Sequence, residues 1–237
     1  EKLREERNYE KGYDLLIKYV RSRDLKEKKV YTVINSEAGE EAQVDFGYAG
    51  KTPDNLGNMR KTYVFAYVLS FSRKSFFKVV YNQKVETFID CHKDAFEYFI
   101  GVPEKIKIDN LKAAILQANF YEPEYQKQYL AFSKYYGFFS HPCKVRYPEE
   151  KGKVESGIKY VKNNFFAGRV FKNETDLKYK LNEWQENVCN KRTHGTTKKI
   201  PDDVFENEEK QKLKPLPEKP WEIYQYEKRK VSDTCHI

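Results

Sequence analysis

The sequence predicts an α/β fold, a mixed sheet with helices on both faces. Three observations carry that prediction. Period-two apolar patterning begins at residue 41 and recurs in three successive runs up to residue 81. Short linkers join those runs, and from residue 85 onward short β-prone runs alternate with stretches of helical spacing. Short linkers make the first three strands an antiparallel meander, whereas strands separated by helices need crossovers. A sheet of that mixed kind is buried by helices on both faces.

The elements follow in order. Residues 1–29 are highly charged and helical in pattern, with Tyr13, Leu16, Ile17 and Val20 on one face and Lys18, Arg21, Arg23 and Lys26 around it. From residue 41, Ala42, Val44 and Phe46 alternate with Gln43, Asp45 and Gly47, which is strand patterning. Asp45 is the anomaly, because aspartate is disfavoured in strands. Residues 50–58 carry Pro53, Asp54 and Gly57 and read as a turn-rich loop; residues 61–71 and 75–81 are the next two strands. Residues 85–100 switch to helical spacing and stop at Gly101 and Pro103. His92 on that helix reads as a core-edge residue.

A fourth strand spans 105–109, followed by a helical turn over 111–116, a helix over 123–137 and a fifth strand over 138–144. Residues 148–166 form the next helix, with Val154, Ile158, Val161 and Phe165 in one stripe. Residues 173–189 give a further helix whose stripe of Leu177, Leu181, Trp184 and Val188 reads as packing or oligomerisation.

With 237 residues, 39% hydrophobic and 16% aromatic, the chain can bury a substantial core. It has no uninterrupted apolar run of membrane-spanning length and no visible signal peptide. The net charge of +8, supplied mostly by lysine, points towards polyanions, nucleic acid before membrane. Lysine acts as a point-charge phosphate partner rather than a bidentate base reader. Cys91, Cys143, Cys189 and Cys235 show no CxxC pair and read as reduced, scattered thiols.

Three acids stand out by position. Asp45 interrupts the first strand, Asp109 ends the fourth, and Glu155 lies one turn into the helix over 148–166. Lys151, Lys159 and Lys162 share a line with Glu155 at helical spacing. A solvated face with Glu–Lys pairs would look the same. The alternative is a carboxylate metal ligand ringed by phosphate-binding lysines. Clustered carboxylates oppose one another's ionisation, and divalent cations, which take hard oxygen ligands, relieve that cost.

The strings QVDFG (43–47), KIDNLKAA (107–114) and PEEKGKVESGIKYVKNNFF (148–166) resemble the three acidic motifs of the IstA-type transposases, a branch of the DDE transposase and retroviral integrase superfamily. NKRTHGTT (190–197) and PDDVFENEEKQKLKPLP (201–217) resemble the segment that follows the catalytic domain in that family. The resemblance implies a ribonuclease-H-like fold with five strands, plus helical extensions at both ends. It places the integrase catalytic core at 36–170 and a helical extension at 171–215. It reads 1–35 as the remnant of a helix-turn-helix DNA-binding arm, and 216–237 as a linker and the start of a small β-barrel. Both ends are expected to be truncations.

The resemblance also implies Asp45, Asp109 and Glu155 as catalytic residues holding two Mg²⁺ (or Mn²⁺) ions. The expected reaction is 3′-end cleavage of transposon DNA, then transfer of the 3′-OH into target DNA. Expected partners are the transposon ends and the target, further copies of the chain on DNA, and an AAA+ helper ATPase, with no membrane. The expected setting is the bacterial cytoplasm, at the nucleoid. Lys151, Lys153, Lys159 and Lys162 are candidate phosphate contacts, equally readable as solvated helix charges. Arg192 and His194 are candidate DNA contacts, or compensate a helix C-terminus. Gly152 has a candidate role in letting DNA or a neighbouring strand approach. Two other functions fit the same residues: a non-catalytic nucleic-acid-binding module, and a related nuclease that cleaves without joining.

Overall fold

A computed structural model describes residues 12–22, 36–108, 115–117, 124–142 and 151–222. The chain divides into two compact units, Glu1–Val33 and Ile34–Ile237. In the first, helix α1 (Tyr13–Ser22) falls within the stretch expected to be helical; the rest of that stretch lies outside the described residues. Asp109, Pro148, Cys143 and the expected β-barrel start beyond residue 222 also lie outside them.

The second unit is built on β1 (Glu41–Pro53), β2 (Met59–Leu69), β3 (Ser75–Val80), β4 (Lys105–Ile108), β5 (Ile115–Gln117), β6 (Glu124–Tyr125) and β7 (Phe139–Pro142). Five of these form one sheet in the order β3-β2-β1-β4-β7, and β5 and β6 form a small antiparallel pair. The first three strands are antiparallel, while β4 pairs parallel with both β1 and β7. This is the expected mixed five-stranded sheet.

Three boundaries differ from the sequence reading. Strand β1 runs on to Pro53, because a register shift between Tyr48 and Gly50, with Gly50 at φ 95°, carries the ladder past the first turn-prone residue. The loop shrinks to 54–58, where Asp54 Oδ1 accepts the N–H groups of Leu56 (2.9 Å) and Asn58 (2.8 Å). Residues 115–117 pair with β6 rather than forming a helical turn. Strand β6 also displaces the start of the next helix to Lys127.

Helices α2 (Val85–Phe99) and α3 (Lys127–Tyr136) cover one face of the sheet. Helix α4 (Gly152–Val161), extended by a π-helical segment Lys162–Phe166, covers the other with α5 (Glu174–Trp184) and its π-helical continuation Gln185–Cys189. Strand β2 serves both layers, Phe65, Tyr67 and Leu69 on one side and Val64, Ala66 and Val68 on the other. That double burial explains its nearly continuous apolar run.

Helix α2 ends on Ile100, which takes the left-handed conformation (φ 54°) that the sequence assigned to a glycine stop. Gly101 is needed for proximity instead: a Cβ there would lie 2.6 Å from Leu213 Cβ. The α5 stripe packs Leu177, Leu181 and Trp184 into the second layer, while Val188 stays exposed. The residues that follow close the edge of β3. Gln185 Oε1 accepts from Phe77 N–H (2.6 Å), and Asn190 bonds both Ser75 N–H and Ser75 C=O at 2.9 Å. An exposed strand edge is a template for unwanted pairing, and these side chains occupy it. Helix α6 (Pro201–Val204) and the π turn Phe205–Glu209 then bring the buried Glu209 to the N–H groups of Gly39 (3.3 Å) and Ser72 (3.0 Å).

Candidate active site

Strand alternation puts Glu41, Gln43, Asp45 and Gly47 on one face of β1, opposite Ala42, Val44 and Phe46, which enter the aromatic layer. The polar face meets α4. Gln43 Oε1 accepts the N–H of Val154 at 3.2 Å. A Cβ at Gly47 would lie 2.5 Å from Ile158 Cγ2, so only glycine permits this approach. Gly157 makes a looser close contact from the helix, where a Cβ would stand 3.1 Å from Val68 Cγ2. The close-approach glycines are therefore Gly47 and Gly157, not Gly152, whose added Cβ meets nothing within 4 Å among the described residues.

Asp45 lies between the two contact points, and Glu155 follows Val154. Both acids line one open cleft of about 340 Å³ with Phe46, Ile158, Lys159, Lys162 and Asn163. The Asp45 carboxylate also accepts from Phe46 N–H at 2.7 Å. Glu155, Lys159 and Lys162 are exposed. Lys162 stands where the helix loosens from α to π, with Ala167 N–H bonded to Lys162 C=O at 2.9 Å. The cleft thus pairs two hard-oxygen donors with two ammonium groups. Asp109 follows Ile108, the residue that pairs with Val44 immediately before Asp45.

The other candidate residues are placed differently. Lys151 is half-buried and does not line this cleft. Lys153 points inward, with Nζ 2.9 Å from Ser36 Oγ and 3.6 Å from Glu41 Oε1. Burial holds its amine down to about 8 against the pull of Glu41. Arg192 stacks on the Tyr160 ring at 3.7 Å and donates to Cys189 C=O. His194 Nδ1 accepts from the N–H groups of Thr196 (3.3 Å) and Thr197 (3.4 Å). Burial, with Arg192 and Arg73, lowers its pKa to about 4, so it carries no cation at neutral pH. His92 is fully buried among rings rather than at the core edge, 2.8 Å from Phe88 C=O and 3.4 Å from Tyr129 Oη. Cys91 and Cys189 are buried free thiols.

Sequence reasoning missed Glu41 and Gln43. The signal was present, since the alternation that isolates Asp45 extends back through both. Glu41 is only 2% exposed. Burial pushes its carboxyl up, but hydrogen bonds from Ser70, Lys107 and Gln43 outweigh that and hold it at about 2.

No family model matches the chain. It is 37% identical to a transposase for an IS21-like insertion sequence from Bacteroides fragilis, over 81% of this chain and 38% of that protein. It is 32% identical to the IS21 transposase of Pseudomonas aeruginosa, over 71% and 43%. A putative transposase for IS5376 from Geobacillus stearothermophilus is 30% identical over 95% of this chain and 56% of that protein. The chain is a homologue of the IS21-type transposases. It spans about half the length of the curated relatives it matches. Its fold is that of retroviral integrase catalytic cores. The HTLV-2 integrase core, solved with magnesium, superposes with a TM-score of 0.53 at 14% identity, over 73% of this chain and 99% of that one. A chain of the simian T-cell lymphotropic virus intasome in complex with the PP2A regulatory subunit B56 gamma gives 0.51 at 16% identity, over 84% and 65%.

Proposed function

We propose that this chain is the catalytic core of a DNA transposase that cleaves at a transposon 3′ end and transfers the 3′-OH into target DNA. The observation that carries the proposal is the shared cleft of Asp45 and Glu155, rimmed by Lys159 and Lys162, in a homologue of IS21-type transposases.

The donor set fits a hard divalent cation, which takes one or two carboxylates and completes its shell with water and substrate phosphate. Among the described residues no three His, Cys, Asp or Glu side chains gather closely enough to hold a metal, and Asp109 lies outside them. In the proposal Asp45 and Glu155, with Asp109 as third ligand, hold two Mg²⁺ or Mn²⁺ ions; the HTLV-2 core solved with magnesium supports that choice. Bound there, the ions would polarise the scissile phosphate and stabilise charge on the attacking and leaving oxygens. The chain's own part is to orient. Gly47 and Gln43 bring α4 against β1, so both carboxylates open on the same cleft. Lys159 and Lys162 place positive charge where a DNA backbone would enter. Assembly on paired ends, a helper ATPase and a nucleoid setting complete the proposal on the strength of the resemblance. The division at about residues 35, 170 and 215 belongs to the same proposal.

The test is strand transfer from a pre-cut end with a free 3′-OH in Mg²⁺. Asp45→Asn, Glu155→Gln or Asp109→Asn is expected to lower the rate on the order of a thousandfold or more. Each variant should still bind DNA with a steep salt dependence, because phosphate contacts carry that affinity. Wild-type rates in Asp45→Asn would contradict the catalytic reading. Cleavage of an uncut end, with no joined product from the pre-cut one, would favour a nuclease.

A further inference from the structure

Glu41 is a buried carboxylate outside the cleft, and its partners come from β1, β4 and α4. From β1, Gln43 Nε2 donates to Glu41 Oε1 at 3.1 Å. On β4, Lys107 Nζ lies 3.0 Å from Glu41 Oε2. The α4 contact is Lys153 Nζ, 3.6 Å from Oε1, and Ser70 Oγ donates to the same oxygen at 2.7 Å. Gln43, Lys107 and Lys153 each stand two residues before a candidate acid: Asp45, Asp109 and Glu155 respectively. Gln43 closes the arrangement through its other atom, accepting the Val154 N–H next to Glu155. Helix α4 has no side-chain cap of its own at Lys151. Its first turn, where N–H groups lack intrahelical partners, is therefore held by a β1 side chain.

Stability alone is a poor account of this cluster. Burying ions is costly, and a well-packed apolar replacement is often neutral or better. A charged hub does fix one register between the elements it touches, and a catalytic constellation depends on such support. We infer that Glu41 is a positioning residue: through Gln43, Lys107 and Lys153 it fixes β1, β4 and α4 against one another, and so sets where Asp45 and Glu155 present their carboxylates. The inference rests on the proposed catalytic reading of Asp45 and Glu155.

The test is Mn²⁺ binding to the DNA-free protein, followed by electron paramagnetic resonance, with melting curves alongside. Glu41→Gln and Lys153→Met are both expected to weaken Mn²⁺ at least about tenfold, and the double variant no further than the weaker single. The sign for Lys153→Met is decisive. A simple field effect would make loss of a nearby positive charge tighten a cation, whereas lost positioning weakens it. If Glu41→Gln fails to melt cooperatively, Lys153→Met carries the test alone. Wild-type Mn²⁺ affinity in Glu41→Gln, or tighter binding in Lys153→Met, overturns the inference while Asp45→Asn still loses the metal. Wild-type binding in Asp45→Asn overturns the catalytic reading and the inference together.

Discussion

The two faces of the central sheet are built from the same strands to opposite ends. On the α2–α3 face, Phe65, Phe88, Phe96, Tyr129, Phe132 and Phe138 surround His92, with ring centroids 4.4–6.3 Å from the imidazole. It is a packed aromatic layer with few polar groups, among which His92 bonds within its own helix to Phe88 C=O. On the α4 face, β1 contributes Glu41, Gln43, Asp45 and Gly47, and the helix meets that strand at Gly47 and through the Gln43–Val154 bond. Both faces bury apolar side chains, but only the α4 face also carries a row of polar side chains along β1. The α4 face has its own apolar layer from β2 and β3 outward, and the candidate acids lie beside it, where side-chain bonds join α4 to β1.

One substitution sharpens that contrast. Phe96→Ala hollows the aromatic layer and is expected to cost about 3–5 kcal/mol, read as a lower melting temperature. Strand transfer per folded molecule should stay near wild type. A large loss in that quantity would mean the two faces are not separable.

Acid should reveal them in different windows. Burial holds His92 at about 4, below its ordinary 6.5, so the unfolded chain takes up that proton first. Stability therefore falls as pH drops from about 6.5 to 4, by up to about 3 kcal/mol from this one group. Glu41, held at about 2 against an ordinary 4.5, loses its contribution only between about pH 4.5 and 2. Urea unfolding across pH checks both. His92→Leu should flatten the upper limb, apart from the remainder due to His194, and Glu41→Gln should flatten the lower one. A single limb shared by both variants would contradict the assignment.

Much of this was legible in the sequence, for physical reasons. Alternation in β1 and the helical stripe of α4 mark faces, and faces locate Asp45 and Glu155 without coordinates. Switching from period two to helical spacing gave the mixed sheet. What could not be read depends on distant partners. Gly152 stands out in sequence because it weakens a helix start, yet Gly47 and Gly157 are the positions that a neighbouring element crowds. Lys153 looks like Lys159 in a charge count, but only the fold turns it towards Glu41. Gln185 and Asn190 look like helix-end polar residues until β3 lies beside them.

The central claim is that Asp45 and Glu155 hold a metal together on the α4 face. Its most direct measurement is strand transfer by Asp45→Cys in Mg²⁺ and in Mn²⁺. Thiolate is a soft ligand that suits Mg²⁺ badly and Mn²⁺ better. The account predicts transfer that is lost in Mg²⁺ and partly restored in Mn²⁺. The same rate in the two metals, high or nil, would contradict it.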